Sequence, residues 1–185
     1  MGNKVTIDSA SLMNKGLEAI EAKWLFHLHP SQVDVVIHPQ SIIHSIVQFE
    51  DGSMKAQMGL PDMKVPIQYA LTYPNRVKTN FERLSFFNYS NLTFEHPDLK
   101  KFRNLDIAFK AMNKGGNVPC VMNAANEIVV ESFLKEMIRF VEMPDIIEKV
   151  MDKVSYIENP AFEELLYTNN ETRIYTEEII NNKRI

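Results

Sequence analysis

The sequence predicts an α+β fold in which a small β-sheet with helices precedes a carboxy-terminal helical bundle. Three observations carry this. Two alternating segments flank Asp51-Gly52, a long amphipathic run opens the chain, and after Pro97 only helical periodicity remains.

The opening run is the richest in chemistry. Val5-Thr6-Ile7 reads as a short extended lead into Asp8, Ser9 and Ser11, each able to cap a helix whose first turn offers free N–H groups to an anion. At about 100° per residue, Ser11, Asn14, Glu18 and Glu21 fall on one stripe with Lys15 at its margin. Met13, Leu17, Ile20 and Trp24 form the opposite, core-facing stripe. A plain reading of the polar face is a solvated surface with one i,i+3 ion pair. Against it stand the crowding of Ser, Asn and Lys at the helix start, and Gly16. A helical glycine costs about 1 kcal/mol relative to alanine, so a close approach to the backbone is expected there.

The helix is expected to end near Phe26, where His27-Leu28-His29-Pro30 breaks the period. Val33-Asp34-Val35-Val36-Ile37 predicts a strand. Ser45 to Glu50 and Ser53 to Met58 predict a hairpin closed by Asp51-Gly52 in a type I′ turn. Between strand and hairpin, His38 and His44 are candidates for metal or acid/base work, although an isolated histidine more often satisfies a local partner. Gly59 to Pro66 is a loop carrying the apolar Met63, followed by a short helix with Pro66 in its first turn and Tyr73-Pro74 at its end. Residues 73–98 lose their period and predict a linker that packs its aromatics on the units it joins. Helices are expected over residues 104–114, 119–136, 144–156 and 170–182. Asn123, Asn126 and Glu127 form a polar set at helical spacing, best read as hydrogen bonding between helices of the bundle.

Composition bounds the function. The 185 residues are 45% hydrophobic and 24% charged, a globular balance. A net charge of −4 without a basic aromatic cluster argues against nucleic acid as a partner. No apolar run reaches the roughly 18 residues of a membrane span, so no membrane partner is expected. The single cysteine fits a reducing compartment. With six glycines and no Gly-rich strand–turn–helix, the chain carries no dinucleotide or P-loop fingerprint.

In order along the chain, Met1-Gly2, Thr6 through Glu18, Ile37-His38-Pro39-Gln40-Ser41-Ile42-Ile43-His44-Ser45, Asp51-Gly52-Ser53, Pro61-Asp62-Met63, Tyr73-Pro74-Asn75-Arg76 and Asn123-Ala124-Ala125-Asn126-Glu127 resemble the 1-deoxy-D-xylulose 5-phosphate reductoisomerase family. The resemblance covers essentially the whole chain. It implies the carboxy-terminal portion of an enzyme that rearranges 1-deoxy-D-xylulose 5-phosphate and reduces the product with NADPH to 2-C-methyl-D-erythritol 4-phosphate, with Mg²⁺ or Mn²⁺ at the substrate oxygens.

By the same resemblance, Ser9 is a substrate-phosphate hydroxyl, Asn14 and Lys15 contact substrate oxygens, and Glu18 is a metal carboxylate. Ser41, His44 and Glu21 line the pocket or support it, and Met1, Pro61 and Met63 lie near the cofactor. It also implies that residues 1–72 are the later part of a catalytic domain, 73–98 a linker and 99–185 a helical domain. The NADPH-binding domain and an Asp-x-Glu metal pair are expected upstream of Met1, so the chain alone is expected to be inactive. The implied partners are a sugar phosphate and a second copy, paired through the catalytic-domain sheet, in a bacterial cytoplasm or plastid-type stroma. Two other readings are a non-catalytic assembly module and a repurposed metal-dependent phosphosugar lyase or isomerase.

Overall fold

The computed structural model describes residues 2–182, so Met1, a cofactor-proximal candidate, lies outside the described residues. Among the described residues it holds seven α-helices and one two-stranded antiparallel sheet, the α+β mixture expected. The chain forms two compact units: one joins the segment up to Val35 with everything from Pro97 onward, the other is Val36–His96. The division at residues 72 and 98 is the one the family resemblance implies. Packing instead groups the opening helices with the carboxy-terminal ones.

In the first unit, α1 (Asn3–Ala10) and α2 (Met13–Leu25) meet α4 (Arg103–Lys114), α5 (Val118–Leu134), α6 (Met143–Lys153) and α7 (Phe162–Asn182). The expected extended lead is therefore helical: Val5, Thr6 and Ile7 lie inside α1, because Ile7 packs on the core and Asp8 is buried. One helix was expected where two occur. The break falls at Leu12, which sits in the left-handed region at φ 58°.

Helix α2 ends where expected, with His27 at φ 53° and the Leu28 N–H reaching back to the Lys23 carbonyl at 2.9 Å, a Schellman closure. Its buried face differs from the predicted stripe. Met13, Gly16, Ala19 and Ile20 are buried, Leu17 is half-buried, and Trp24 is 62% exposed. The small residues Gly16 and Ala19 belong to that buried face, and what approaches Gly16 is Ala108 of α4.

Helix α5 is the centre of this unit. It contacts α1, α4, α6 and α7, and its buried face is wide, running from Ala124 through Ile128, Val121 and Met122 to Val130, while Asn123, Glu127 and Glu131 take the remaining side. Ile107, Ala108 and Met112 of α4, and Ile146, Ile147 and Val150 of α6, turn apolar stripes onto the same core. Helix α7 starts eight residues before the predicted 170, because its buried stripe is Thr168, Thr172, Thr176 and Ile180. Threonine at i,i+4 spacing carries no apolar signal. The Thr176 hydroxyl satisfies itself on the Thr172 carbonyl at 2.7 Å.

Gly115 and Gly116 form the corner between α4 and α5, at φ 68° and 58°. Beside them, buried Asn117 donates from Nδ2 to the Ser155 carbonyl at 2.9 Å and accepts the Ile157 N–H on Oδ1 at 3.0 Å. A Cβ on Gly116 would stand 2.3 Å from the Ile157 carbonyl oxygen, whereas one on Gly115 meets open space. Gly116→Ala is therefore expected to cost about 3–5 kcal/mol, from the clash added to its positive φ, and Gly115→Ala about 1–3 kcal/mol, from a backbone at φ 68° and ψ −149° that is nearly restricted to glycine. Urea unfolding of the two variants checks this; equal losses would contradict the clash.

In the second unit, β1 (Ile43–Gln48) and β2 (Met54–Met58) pair antiparallel, with Ile46 opposite Ala56, Gln48 opposite Met54, and an irregularity between Ile43 and Ser45. The hairpin is as predicted, but its turn is not type I′. Phe49 N–H bonds the Ser53 carbonyl and Gly52 N–H bonds the Phe49 carbonyl, both at 2.9 Å, and only Gly52 is left-handed, at φ 83°. That is a three-residue loop with glycine at the left-handed position. The Asp51 carboxylate accepts the Ser53 hydroxyl at 2.6 Å and its N–H at 2.9 Å, and these bonds hold its pKa below the ordinary value.

The predicted strand over residues 33–37 does not form. Only Ile37 is paired, in an isolated antiparallel bridge to Glu95, since a β-branched run sets an extended conformation but cannot supply a neighbour. Around that bridge the 93–95 segment is fastened to the 37–40 segment: the His38 ring is 2.8 Å from the Thr93 carbonyl and stacks on Phe94, and Gln40 bonds Thr93. Helix α3 (Lys64–Thr72) follows the loop as predicted, and Arg76 lies over the Tyr69 ring at 3.5 Å. The aromatics of residues 73–98 are only partly packed, with Phe86 61% and Phe87 98% exposed.

Candidate functional site

The α1–α2 junction carries five of the sequence-predicted residues. Ser9 lies in the last turn of α1 with an exposed side chain, and Asn14 and Lys15 lie in the first turn of α2. The expectation that Asp8, Ser9 and Ser11 cap a helix is corrected. Asp8 and Ser9 end α1, and the turn into α2 is made by Ser11, whose hydroxyl donates to the Asp8 carbonyl at 3.2 Å and accepts the Met13 N–H at 3.3 Å. The positive end of a helix dipole is still present, at Met13 rather than Asp8.

One turn further on, Asn14 Nδ2 donates to Glu18 Oε1 and Lys15 Nζ donates to Glu18 Oε2, each at 2.5 Å. Lys15 and Glu18 keep 44% and 47% of their side chains exposed. Amide, ammonium and carboxylate thus converge on the open face of α2, while Met13 and Gly16 lock the opposite face into the core. Glu21 is exposed one turn along the same face. The arrangement can offer an oxyanion three kinds of donor: the Ser9 hydroxyl, the Asn14 amide and the Lys15 ammonium. To a hard cation it can offer the two Glu18 oxygens.

A divalent ion such as Mg²⁺ takes near-octahedral oxygen ligands, and Glu18 alone does not make that cage. Among the described residues no group of three or more His, Cys, Asp or Glu side chains is placed to hold a metal. These residues therefore fit one edge of a metal site and no more.

Ser41, His44, Pro61 and Met63 belong to the second unit. Ser41 is left-handed at φ 50° and its N–H bonds the His38 carbonyl at 2.9 Å. His44 sits on β1, its Nε2 3.2 Å from the Gly59 carbonyl, so its ring has an ordinary backbone partner. Pro61 and Met63 flank Asp62 at the start of α3, and Met63 is 67% exposed. Cavities of about 420 and 330 Å³ are lined by other residues, around Phe133 to Glu142 and around Trp24 and Asn159 to Leu165 respectively.

The polar set on α5 is a tertiary fastening. Asn123 donates to Glu127 at 3.3 Å, Glu127 pairs with Arg173 of α7, and Asn126 reaches Asp8 of α1 at 2.9 Å. Sequence reasoning found Asn126 but not its partner, because Asp8 read as a cap and lies 118 positions away.

Known proteins place the chain. A family model described as the DXP reductoisomerase C-terminal domain matches residues 58–175, and a second, described as the 1-deoxy-D-xylulose 5-phosphate reductoisomerase C-terminal domain, matches residues 1–26. The 1-deoxy-D-xylulose 5-phosphate reductoisomerase of Phocaeicola vulgatus is 60% identical over 94% of this chain and 45% of its own length. That of Bacteroides fragilis is 56% identical over 97% of this chain and 46% of its own length. Among solved structures, the Zymomonas mobilis reductoisomerase in complex with NADPH superposes with a TM-score of 0.90 at 42% identity, over 96% of this chain and 47% of that one. A reductoisomerase complex with NADPH, fosmidomycin and magnesium gives 0.89 at 39% identity, over 100% of this chain and 47% of that one. The chain spans about half the length of the relatives it matches.

Proposed function

The chain belongs to the 1-deoxy-D-xylulose 5-phosphate reductoisomerase family, and from that premise we propose that it supplies the substrate- and metal-facing carboxy-terminal portion of such an enzyme. The reaction is the NADPH-dependent conversion of 1-deoxy-D-xylulose 5-phosphate to 2-C-methyl-D-erythritol 4-phosphate. The observation that carries the reading is the convergence of Asn14 and Lys15 on both oxygens of Glu18, on the open face of a helix anchored behind by Gly16.

In this reading the Ser9 hydroxyl binds the substrate phosphate, Asn14 and Lys15 bind substrate oxygens, and Glu18 would hold one edge of a bound divalent metal. Lys15 then serves as a positive clamp that neutralises charge on the bound oxygens. A bound Mg²⁺ or Mn²⁺ would supply Lewis-acid polarisation and NADPH would supply hydride. Within the second unit, Ser41 and His44 are pocket-lining or supporting residues and Pro61 and Met63 are cofactor-proximal; within the first, Glu21 is a supporting residue on α2.

We assign the enzyme to a bacterial cytoplasm. The net charge, the single cysteine and the lack, among the described residues, of any helix long and apolar enough to cross a membrane fit that assignment, and the relatives named are bacterial. Neither nucleic acid nor membrane is a partner in this reading. A second copy pairs through the hairpin, whose Ile46, Val47, Phe49 and Met54 are left 42–62% exposed.

The 185-residue chain by itself is expected not to oxidise NADPH in the presence of substrate and Mg²⁺. A chimera in which it replaces the matching portion of the Bacteroides fragilis enzyme is expected to turn over. Activity of the chain alone, or a folded but inactive chimera, would overturn the reading.

A further inference from the structure

Asp8 is a buried carboxylate that the proposed chemistry does not use. It is 1% exposed, and the two groups that reach its oxygens are Lys4 Nζ, at 2.6 Å from Oδ2, and Asn126 Nδ2, at 2.9 Å from Oδ1. Asn126 is fully buried on α5, between Ala125 and the rest of the central helix. A carboxylate only accepts, so the amide must present its nitrogen to Asp8, and its oxygen is left without a partner among the described residues. A buried charge tied by one amide to the most deeply packed helix is a strong constraint on whatever is covalently attached to it.

What is attached is Ser9. From Asp8 onward the backbone is closed by a short chain of bonds: the Ser11 hydroxyl to the Asp8 carbonyl, the Leu12 N–H to the Ser9 carbonyl at 3.2 Å, and the Met13 N–H to the Ser11 hydroxyl. Leu12, inside that closure, is held left-handed, a conformation unfavourable for a non-glycine residue that persists where its surroundings enforce it. Ser9 and the Asn14–Lys15–Glu18 group are thus carried by two different helices, joined by a turn that begins at Asp8, whose backbone carbonyl accepts the Ser11 hydroxyl.

We infer that Asn126, acting through Asp8, is a positioning residue for Ser9: it sets the angle between α1 and α2, and so the distance from the Ser9 hydroxyl to Asn14 and Lys15. The inference rests on the functional reading above and extends it to a residue on α5 that itself touches no substrate. Its ligand-facing consequence is confined to the phosphate end of the substrate.

The variants are Asn126→Asp, which sets a carboxylate against a carboxylate, and the exchange pair Asp8→Asn/Asn126→Asp, which re-forms one amide–carboxylate bond. Val129→Ala, a core change on the same helix that leaves Asp8 alone, controls for lost stability. In the active chimera, Asn126→Asp is expected to raise the KM for the sugar phosphate about tenfold while kcat and the KM for NADPH stay within about twofold. The exchange pair should recover most of that loss, and Val129→Ala should not reproduce it. In the 185-residue chain, hydrogen exchange of the amides of residues 3–13 should quicken in Asn126→Asp and slow again in the exchange pair.

An unchanged KM, a KM change matched by Val129→Ala, or no recovery in the exchange pair overturns the inference, as does unchanged exchange at residues 3–13. If Asn126→Asp alone does not fold, the exchange pair against the parent decides it. An inactive parent chimera would count against the functional reading, while the exchange measurement would still decide whether Asn126 holds the turn.

Discussion

Glu18→Gln in the active chimera is expected to lower kcat/KM by roughly a hundredfold or more while leaving stability nearly unchanged. Glutamine keeps the shape and one acceptor oxygen, so the Asn14 bond can persist. What disappears is the negative charge, which a hard divalent ion needs and which Lys15 balances in the free protein. Stability should hardly respond, because Lys15 and Glu18 are close to half exposed and such pairs contribute at most about 1 kcal/mol. The two readings of this helix face therefore separate cleanly. A solvated surface pair predicts no kinetic effect, whereas a metal-facing carboxylate predicts a large loss that is partly restored by raising Mg²⁺. Steady-state kinetics over a Mg²⁺ series, with a urea melt alongside, measure both quantities.

Gly16→Ala is expected to destabilise the first unit by about 1–3 kcal/mol, although alanine is the better helix former by about 1 kcal/mol. The added Cβ would stand 2.3 Å from the Ala108 Cβ and 3.8 Å from the Ala108 Cα. Neither atom belongs to a flexible side chain that can swing aside, so relief requires α2 and α4 to separate. Separation would also shift Asn14, Lys15 and Glu18, which ride on α2, and the chimera should lose activity beyond its loss of stability. Ala108→Gly in the same molecule removes the opposing methyl and should recover part of both. A Gly16→Ala protein as stable as its parent in urea would show that the helices can separate freely.

Much of the candidate site was legible in the sequence because helical spacing is a local property. Asn14, Lys15, Glu18 and Glu21 share a face for the same reason that any residues three or four apart do. The hairpin was legible from Asp51-Gly52 and its alternating flanks, and α4, α5 and α6 from their apolar stripes. Helix α7 was half hidden because threonine fills its buried positions. The run at residues 33–37 predicted a strand because β-branched residues favour extended backbone, but strand identity depends on a neighbour that the run does not encode.

By itself, then, the sequence determined which residues could share a helix face, where the hairpin lies, and which family the motifs resemble. Only the tertiary structure decided that the opening segment is two helices rather than one. There Ile7 packs on the core and Asp8 is buried against Asn126, 118 positions away, while Leu12 turns left-handed between the two helices. It likewise decided that Gly16 makes room for another helix rather than for a ligand, and that Trp24 faces outward. Local periodicity says which side of a helix is apolar. How closely another helix approaches that side, and which buried polar group it must satisfy there, depend on partners distant in the chain.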